Sequence, residues 1–183
     1  MTTESTTFTI DIETDLLWLE NLIQYQLGNA SEDLIDRIEN QGEILPPIIP
    51  KGGFYSDNLH IWNPSAVERG LIVIGLALYF KPRIFDPLLK AAKDYNYTET
   101  RLGGIIGTAQ TPFVPTGETA IFLLTNGSVE ERMLVLNCLN QEHWLFEKGI
   151  LMFEYKEPGL PITFQPIFLS SDYMEFFSKG VAT

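Results

Sequence analysis

The sequence predicts an α+β domain in which helices precede a C-terminal β-hairpin, with an acidic helical extension in front. Two capping boxes, Ser65–Glu68 and Ser128–Glu131, mark the beginnings of helices. Two apolar, strand-like runs, 150–155 and 162–169, flank a segment with two prolines and indicate a hairpin. Between these signals, residues 103–124 combine glycines, prolines and threonines with apolar residues. The rest of the chain is organised around this stretch.

The composition indicates a folded protein without a membrane segment. A length of 183 residues suits one domain or one domain with an arm, and 45% hydrophobic residues permit a sizeable core. The longest apolar run, residues 71–80, is about half the length that crosses a bilayer. The N-terminus lacks the features of a secretory signal, and Cys138 is the single cysteine. We therefore expect a cytoplasmic protein with no membrane insertion and no internal disulfide.

Negative charge is concentrated at the front of the chain. The net charge is −12, and residues 1–50 hold ten acids against one base, Arg37. Such a field repels phosphate backbones, so nucleic acid is not the expected partner. The acids are consistent with a solvated surface or with a face that docks on a basic protein surface.

The first residues predict a polar arm followed by two helices. Residues 1–10 are rich in serine and threonine, alternate weakly, and could add a strand to a neighbouring sheet. A helix is expected to begin near Asp15, which can cap free N–H groups, and to end at Gly28. A shorter helix is expected from Ser31, with acids in its first turn, to Gly42.

A proline-rich strap separates this extension from the rest of the chain. Three prolines in residues 44–54 (ILPPIIPKGGF) exclude a helix, and the isoleucines favour an ordered strap over a free linker. We therefore divide the chain into an extension at 1–54 and a domain at 55–183. In the domain, Ser65 opens an apolar and hence central helix, which Pro82 ends.

The middle of the domain is expected to alternate short helices with extended chain. A short helix is expected at Pro87. Three glycines can adopt positive φ or allow close backbone approach: Gly103, Gly104 and Gly107. Residues 112–115 are expected to be extended. Thr116 is expected to cap a helix that ends at Leu124, with Glu118 at its positive end.

The C-terminal part is expected to form a helix, a hairpin and a last short helix. Asn126-Gly127 turns the chain into the helix of the second capping box. The apolar face of that helix is expected to consist of Met133, Leu134, Leu136 and Leu139. Pro166 limits the second strand-like run to a sheet edge or a bulge. The last helix is expected to begin at Ser170 or Ser171.

Residues 113–124 (FVPTGETAIFLL), preceded by Gly103-Gly104, and residues 76–89 (LALYFKPRIFDPLL) carry a family pattern. Together they resemble the N-terminal winged-helix-type domain that precedes the motor module in a group of bacterial AAA ATPases. The resemblance covers roughly residues 60–175 and implies a winged-helix-like domain. Such ATPases also occur in gene clusters for phage-tail-like contractile injection systems, which suggests a setting.

The sequence departs from the family pattern in two places. The family's Phe-Gly-Gly is Arg101-Leu102-Gly103-Gly104 here, and the chain ends at Thr183 before any motor. No G-x-x-x-x-G-K-[ST] phosphate loop occurs, and Glu118 stands where such a loop would need lysine. Nucleotide binding is therefore not expected. The chain is either a fragment of a longer ATPase or a stand-alone relative that lost the motor.

The candidate interaction residues form two groups. The first lies in the glycine-rich stretch: Arg101, Gly103, Gly104, Phe113, Pro115, Thr116, Gly117 and Glu118. The second is a candidate acidic docking set: Asp11, Glu13 and Asp15. Glu118 is expected to stabilise its own helix end or to contact a partner's base, and Arg101 could hold it. The docking set is expected on a solvated or partner-facing edge.

No catalytic, cofactor or metal site is predicted. His60 and His143 are far apart in sequence, and neither lies in a cluster with metal-ligand spacing. Cys138 lies in an apolar helical pattern and is expected to be a small buried hydrophobe. No nucleophile–base pair is visible, so we expect the protein not to be an enzyme.

The resulting functional hypothesis is a protein–protein interaction or assembly module whose acidic extension docks on a basic partner. Its expected setting is a structural or adaptor subunit of a larger complex, such as a contractile, phage-tail-like particle. The first alternative is the recruiting or regulatory N-terminal domain of an AAA ATPase. The second is a DNA-binding winged helix, disfavoured because Glu130 and Glu131 lie on the candidate recognition helix 129–140.

Overall fold

The computed structural model describes residues 3–41, 45–94, 102–106, 113–154 and 159–179. It is a mixed helix-and-strand structure, in agreement with the predicted α+β class. The first half consists of helices α1 (Thr3–Gln26), α2 (Glu32–Gln41), α3 (Phe54–Trp62), α4 (Ala66–Phe80) and α5 (Asp86–Asp94). A 3₁₀ turn, Pro82–Phe85, joins α4 to α5. The second half consists of α6 (Gly117–Leu124), α7 (Val129–Cys138), α8 (Trp144–Glu147), β1 (Leu151–Phe153), β2 (Ile167–Leu169) and α9 (Ser171–Lys179).

Helix α4 forms the centre of the fold, as its apolar sequence predicts. Every residue from Gly70 to Ala77 is buried, and α4 contacts α1, α6, α7 and β2. The predicted capping box is confirmed. The backbone N–H of Ser65 donates to Glu68 Oε2 at 2.6 Å, and the N–H of Glu68 donates to Ser65 Oγ at 3.3 Å. Pro82 follows the end of the helix because proline cannot continue it.

Strands β1 and β2 form the predicted antiparallel hairpin and pack on α4. Leu151 lies opposite Leu169. A Cβ placed on Gly75 of α4 would lie 3.1 Å from the backbone nitrogen of Leu169, so this glycine permits close packing of strand on helix. The second strand is shorter than predicted, because 162–164 form a 3₁₀ turn and Pro166 forms an isolated bridge to Thr116.

Helix α1 corrects the prediction for the N-terminus. It begins at Thr3, not near Asp15, so residues 3–10 are helical and do not form an extended arm. Its buried residues include Ile12, Leu16, Leu19, Leu22 and Ile23. They belong to the same core as the buried residues of α4. Once these residues fix several turns against the core, each further helical residue adds a hydrogen bond without a new nucleation cost.

Helix α3 has no counterpart in the sequence prediction. Gly53 precedes it, and the N–H of Gly53 donates to Ser56 Oγ at 3.0 Å. Asn63, with a φ of 46°, follows its last residue. Tyr55 packs edge-on against Phe177 of α9, with ring centroids 5.5 Å apart. The helix is thus stabilised by distant aromatic contacts that no local sequence pattern reveals.

The described part of the strap, residues 45–53, contains no helix, as its prolines predict. The expectation of buried isoleucines holds for Ile49 and fails for Ile48, which is 95% exposed. Consecutive residues of an extended chain point in opposite directions, so one isoleucine packs inward while the other faces solvent.

The inward face of α7 differs in part from the predicted one. Val135 and Leu139 are buried, whereas Met133 and Leu134 are exposed. The helix therefore contacts the core along a narrower stripe than its apolar content predicts, and two large apolar residues remain in contact with water.

Candidate functional site

An open apolar groove lies between α1, α2 and the proline-rich strap. Its volume is about 450 Å³. Three large apolar residues along it are exposed: Leu17 (57%), Leu45 (49%) and Ile48 (95%). Trp18, Leu34 and Ile38 also line the groove and are buried. The groove therefore offers a largely apolar surface that a partner could cover.

Exposed carboxylates occur on both helices that form this groove. Glu13 lies one turn before Leu17 on α1 and is exposed. On α2, the acidic residues Glu32, Asp33 and Asp36 are exposed. The one base of the first fifty residues, Arg37, lines the groove, and its Nε donates to the carbonyl of Asp33 at 3.3 Å. A partner segment that is apolar and positively charged would match both the apolar groove and the exposed acids of its two helices.

The predicted acidic docking set does not lie together on this surface. Asp15 is fully buried, Asp11 is 5% exposed, and Glu13 is exposed. The expectation of a solvated or partner-facing edge is therefore wrong for Asp11 and Asp15. Both occur on the inward face of α1, whereas the sequence pattern places them at or ahead of the start of the helix.

Asp15 joins α1 to α3 and α4. Arg69 donates to it from Nε, at 2.9 Å to Oδ2, and from Nη2, at 2.5 Å to Oδ1. Tyr55 Oη donates to Oδ2 at 2.6 Å. Burial raises the pKa of Asp15 although Arg69 and Tyr55 act in the opposite direction, and burial also raises the pKa of Tyr55 well above its usual value. This network is structural and leaves Asp15 no access to a partner.

Asp11 lies against the N-terminus of α3. A Cβ placed on Gly53 would be 1.9 Å from Asp11 Oδ2, so the Asp11 carboxylate occupies the space that a side chain at position 53 would need. Among the described residues, Oδ2 has no hydrogen-bond partner. The carboxylate lies near the positive end of the α3 dipole, which favours negative charge.

The glycines of the organising stretch are confirmed as sites of positive φ and close approach. Gly103 has a φ of 62° and Gly104 a φ of 82°. A Cβ on Gly103 would lie 2.5 Å from the nitrogen of Thr119, and a Cβ on Gly104 would lie 2.0 Å from Cζ of Phe113. Gly107 lies outside the described residues. This loop packs directly on the start of α6.

Residues 115–117 join the start of α6 to the hairpin. The carbonyl of Pro115 accepts from the N–H of Ile167 at 3.2 Å, and the N–H of Gly117 donates to the carbonyl of Gln165 at 3.3 Å. Thr116 precedes α6 as predicted, and its Oγ1 accepts from the N–H of Gly104 at 3.0 Å. These residues, like Phe113, are buried and therefore shape the interior.

Glu118 pairs with a base that the sequence does not indicate. Arg132 of α7 donates to it twice, at 2.9 Å from Nη1 to Oε2 and at 2.6 Å from Nη2 to Oε1. Burial acts to raise the pKa of Glu118, but hydrogen bonds from Arg132 and Thr163 hold it below its usual value. Arg101, the predicted partner, lies outside the described residues. Fourteen residues and a turn separate Glu118 from Arg132, so no helical spacing signals the pair.

A second cluster brings together residues that lie far apart in the sequence. One potential ligand atom from each of Glu68, Cys138 and His143 lies within 4.8 Å of the others. We expected neither histidine to lie in a cluster of potential metal ligands, but His143 does lie in one. In the sequence, the pattern that indicates this cluster is the short spacing between Cys138, at the end of one helix, and His143, just before the next helix. Burial raises the pKa of Cys138 to about 11, so its thiol is not an activated nucleophile.

Comparisons with protein-family models, with curated proteins and with solved structures found no match. Among helices in the described ranges, none combines the length and the apolar character needed to span a bilayer.

Proposed function

We propose that this protein is a non-enzymatic protein–protein interaction module that binds a basic, apolar segment of its partner in the groove between α1, α2 and the strap. The exposure of Leu17, Leu45 and Ile48 around one cavity carries this proposal. Docking would remove these side chains from water, which is the main favourable term in most protein association.

The charge of the surrounding surface supports a basic partner. The first fifty residues carry ten acids and one base, and exposed acids occur on both helices that form the groove. Such a field speeds the encounter with a cationic segment and disfavours an acidic one. The apolar residues provide affinity and the carboxylates provide selectivity.

The setting proposed for this module follows the family resemblance. The domain is proposed to be of winged-helix type, to act in the cytoplasm, and to serve as a structural or adaptor subunit of a larger complex such as a contractile, phage-tail-like particle. A recruiting domain of an AAA ATPase is the alternative, and it would use the same groove. Duplex DNA is disfavoured as the partner because Glu130 is exposed at the start of α7 and Arg132 of that helix is paired with Glu118.

A labelled amphipathic peptide of leucine and lysine tests the groove directly. Fluorescence anisotropy with the full chain should show binding that weakens as salt is added. A peptide of the same composition without an apolar face, and one with glutamate in place of lysine, should bind more weakly. Equal binding of all three peptides would contradict the proposal.

Two matched variants locate the site. Ile48→Ser removes an exposed side chain in the groove, and Ile61→Ser removes a 77% exposed isoleucine on α3 outside it. Because burying an isoleucine contributes about 1.5–3 kcal/mol, Ile48→Ser should weaken peptide binding about tenfold or more. Ile61→Ser should leave it unchanged. The groove is not the binding site if both variants bind like the parent chain.

A further inference from the structure

Three potential metal ligands converge where three helices meet. Glu68 lies in the first turn of α4, Cys138 is the last residue of α7, and His143 precedes α8. His143 Nε2 is 3.1 Å from Glu68 Oε1, and the ligand atoms of all three lie within 4.8 Å of one another. The chain contains only one cysteine and two histidines, so this convergence does not reflect an abundance of such residues.

We infer that Glu68, Cys138 and His143 form a binding site for a divalent transition metal ion of the zinc class. Zinc takes thiolate, imidazole and carboxylate ligands at about 2.0–2.3 Å in tetrahedral geometry, which places ligand atoms roughly 3.3–3.8 Å apart. The separations of 3.1 Å and up to 4.8 Å bracket that range. Side-chain shifts of about 1 Å are enough to close three ligands on one ion.

Neighbouring groups already orient the carboxylate. Trp144 Nε1 donates to Glu68 Oε1 at 2.5 Å, and the N–H of Ser65 donates to Oε2 at 2.6 Å. Hydrogen bonds of this kind fix a ligand's direction and are a regular part of metal sites. The carboxylate can therefore coordinate through Oε1 while Oε2 continues to cap α4.

Coordination requires two local changes. The Cys138 thiol gives up its proton to solvent as the sulfur–metal bond forms. Coordination through Nε2 of His143 places the ring proton on Nδ1, so the 3.4 Å hydrogen bond from the N–H of Leu145 to Nδ1 is lost. That bond is long, and its loss is small beside the gain of a metal ligand. The remaining tetrahedral position is open to water.

Cobalt(II) is the probe for this site. Added to the reduced full chain, it should produce a near-ultraviolet thiolate-to-cobalt band and the intense visible bands of tetrahedral cobalt, with one ion bound per chain. Zinc should displace it. Since Cys138 is the single cysteine, a thiolate band identifies the ligand without further assignment. A wild-type chain that gives neither band overturns the inference.

Conservative variants distinguish the cluster from adventitious binding. Cys138→Ser should abolish the thiolate band, and His143→Gln and Glu68→Gln should each weaken cobalt binding by more than about tenfold. Glu68→Gln retains a side chain suited to the capping box, so the fold is expected to persist. His60→Gln is the matched control, because His60 contacts the carbonyl of Ile49 on the strap.

Thermal unfolding provides a second readout that does not depend on cobalt spectra. Zinc should raise the melting temperature of the wild-type chain and of His60→Gln, because an ion that binds only the folded state stabilises it. It should not raise that of Cys138→Ser. Equal cobalt affinity in wild type and His143→Gln, or equal stabilisation of Cys138→Ser by zinc, overturns the inference.

Discussion

At the scale of single residues, the pair of Asp15 and Arg69 shows how a buried charge holds two helices together. Removing both charges from water is costly, and the fork of the guanidinium, which meets the carboxylate at two points, offsets part of that cost. The hydroxyl of Tyr55 satisfies a third direction of the carboxylate. Helix α1 is thereby fixed in rotation as well as in position.

Asp15→Ala should destabilise the protein by about 3–5 kcal/mol, because it leaves the Arg69 guanidinium buried without its partner. Arg69 is only 12% exposed, so water replaces the lost contacts poorly. The double variant Asp15→Leu/Arg69→Met should recover much of the loss, since apolar side chains remove both charges together. Urea unfolding of wild type, Asp15→Leu, Arg69→Met and the double variant, followed by tryptophan fluorescence, gives the four free energies of the cycle. Strict additivity of the two single changes would show that the residues are not coupled.

Glu118 should make stability depend on pH in the acid range. Its pKa in the folded chain lies below the ordinary value of 4.5, so its contribution is present above pH 4.5 and is lost as the pH falls through the folded pKa. Asp15, whose pKa burial raises, acts in the opposite sense. The difference between wild type and Glu118→Gln isolates the first effect.

The free energy of unfolding should therefore fall less steeply below pH 4.5 in Glu118→Gln than in wild type. Equilibrium urea titrations at several pH values measure this slope. Glu130→Gln changes an exposed carboxylate of the neighbouring helix and controls for net charge. Parallel slopes for wild type and Glu118→Gln would show that the contact with Arg132 does not stabilise the ionised carboxylate.

At the scale of elements, local signals explain which parts of the fold could be predicted. Both predicted capping boxes involve groups three residues apart. The box at Ser65 is confirmed in both hydrogen bonds. At Ser128 the side chain accepts from the N–H of Glu131 as predicted, but the Glu131 carboxylate accepts from the N–H of Asn126. Pro166 shortens the second strand as a residue without an N–H should. Helix α3 escapes prediction because Tyr55 packs on Phe177, a contact that depends on the whole fold. The predicted start of α1 is wrong because the buried residues of that helix pack in a core shared with α4, which is also a tertiary effect.

The loop before α6 should tolerate no side chain at Gly103. Gly103→Ala places a Cβ in strained backbone and 2.5 Å from the backbone nitrogen of Thr119. Strain at positive φ costs about 1–2 kcal/mol, and overpacking adds about 1–3 kcal/mol. Gly127→Ala is the matched control, since Gly127 also has a positive φ but a Cβ added there would have no neighbour within 4 Å. The urea midpoint should fall further for Gly103→Ala than for Gly127→Ala. Equal losses in the two variants would mean that the loop shifts and removes the close contact between the added Cβ and Thr119.

At the scale of the whole molecule, the sequence shows the concentration of acids in the first fifty residues, but it does not show the groove or the metal-ligand cluster. The groove needs residues from α1, α2 and the strap, and only folding brings Leu17 beside Ile48. The metal-ligand cluster likewise joins Glu68 to Cys138 and His143, which lie 70 and 75 positions later in the sequence. Composition predicts the sign of a partner's charge, but the position of a site depends on tertiary contacts.

The same asymmetry makes the molecule's stability sensitive to salt. Two like charges about 10 Å apart in water repel by roughly 0.4 kcal/mol, and added salt screens that repulsion. With a net charge of −12, sodium chloride should raise the free energy of unfolding in urea by about 1 kcal/mol. The double variant Glu13→Lys/Asp36→Lys changes two exposed acids and brings the net charge to −8, as −12 + 4 = −8, so its gain should be smaller. A loss of stability with salt would instead mean that attractive surface pairs such as Lys81–Glu20, joined at 2.6 Å, outweigh repulsion among the acids.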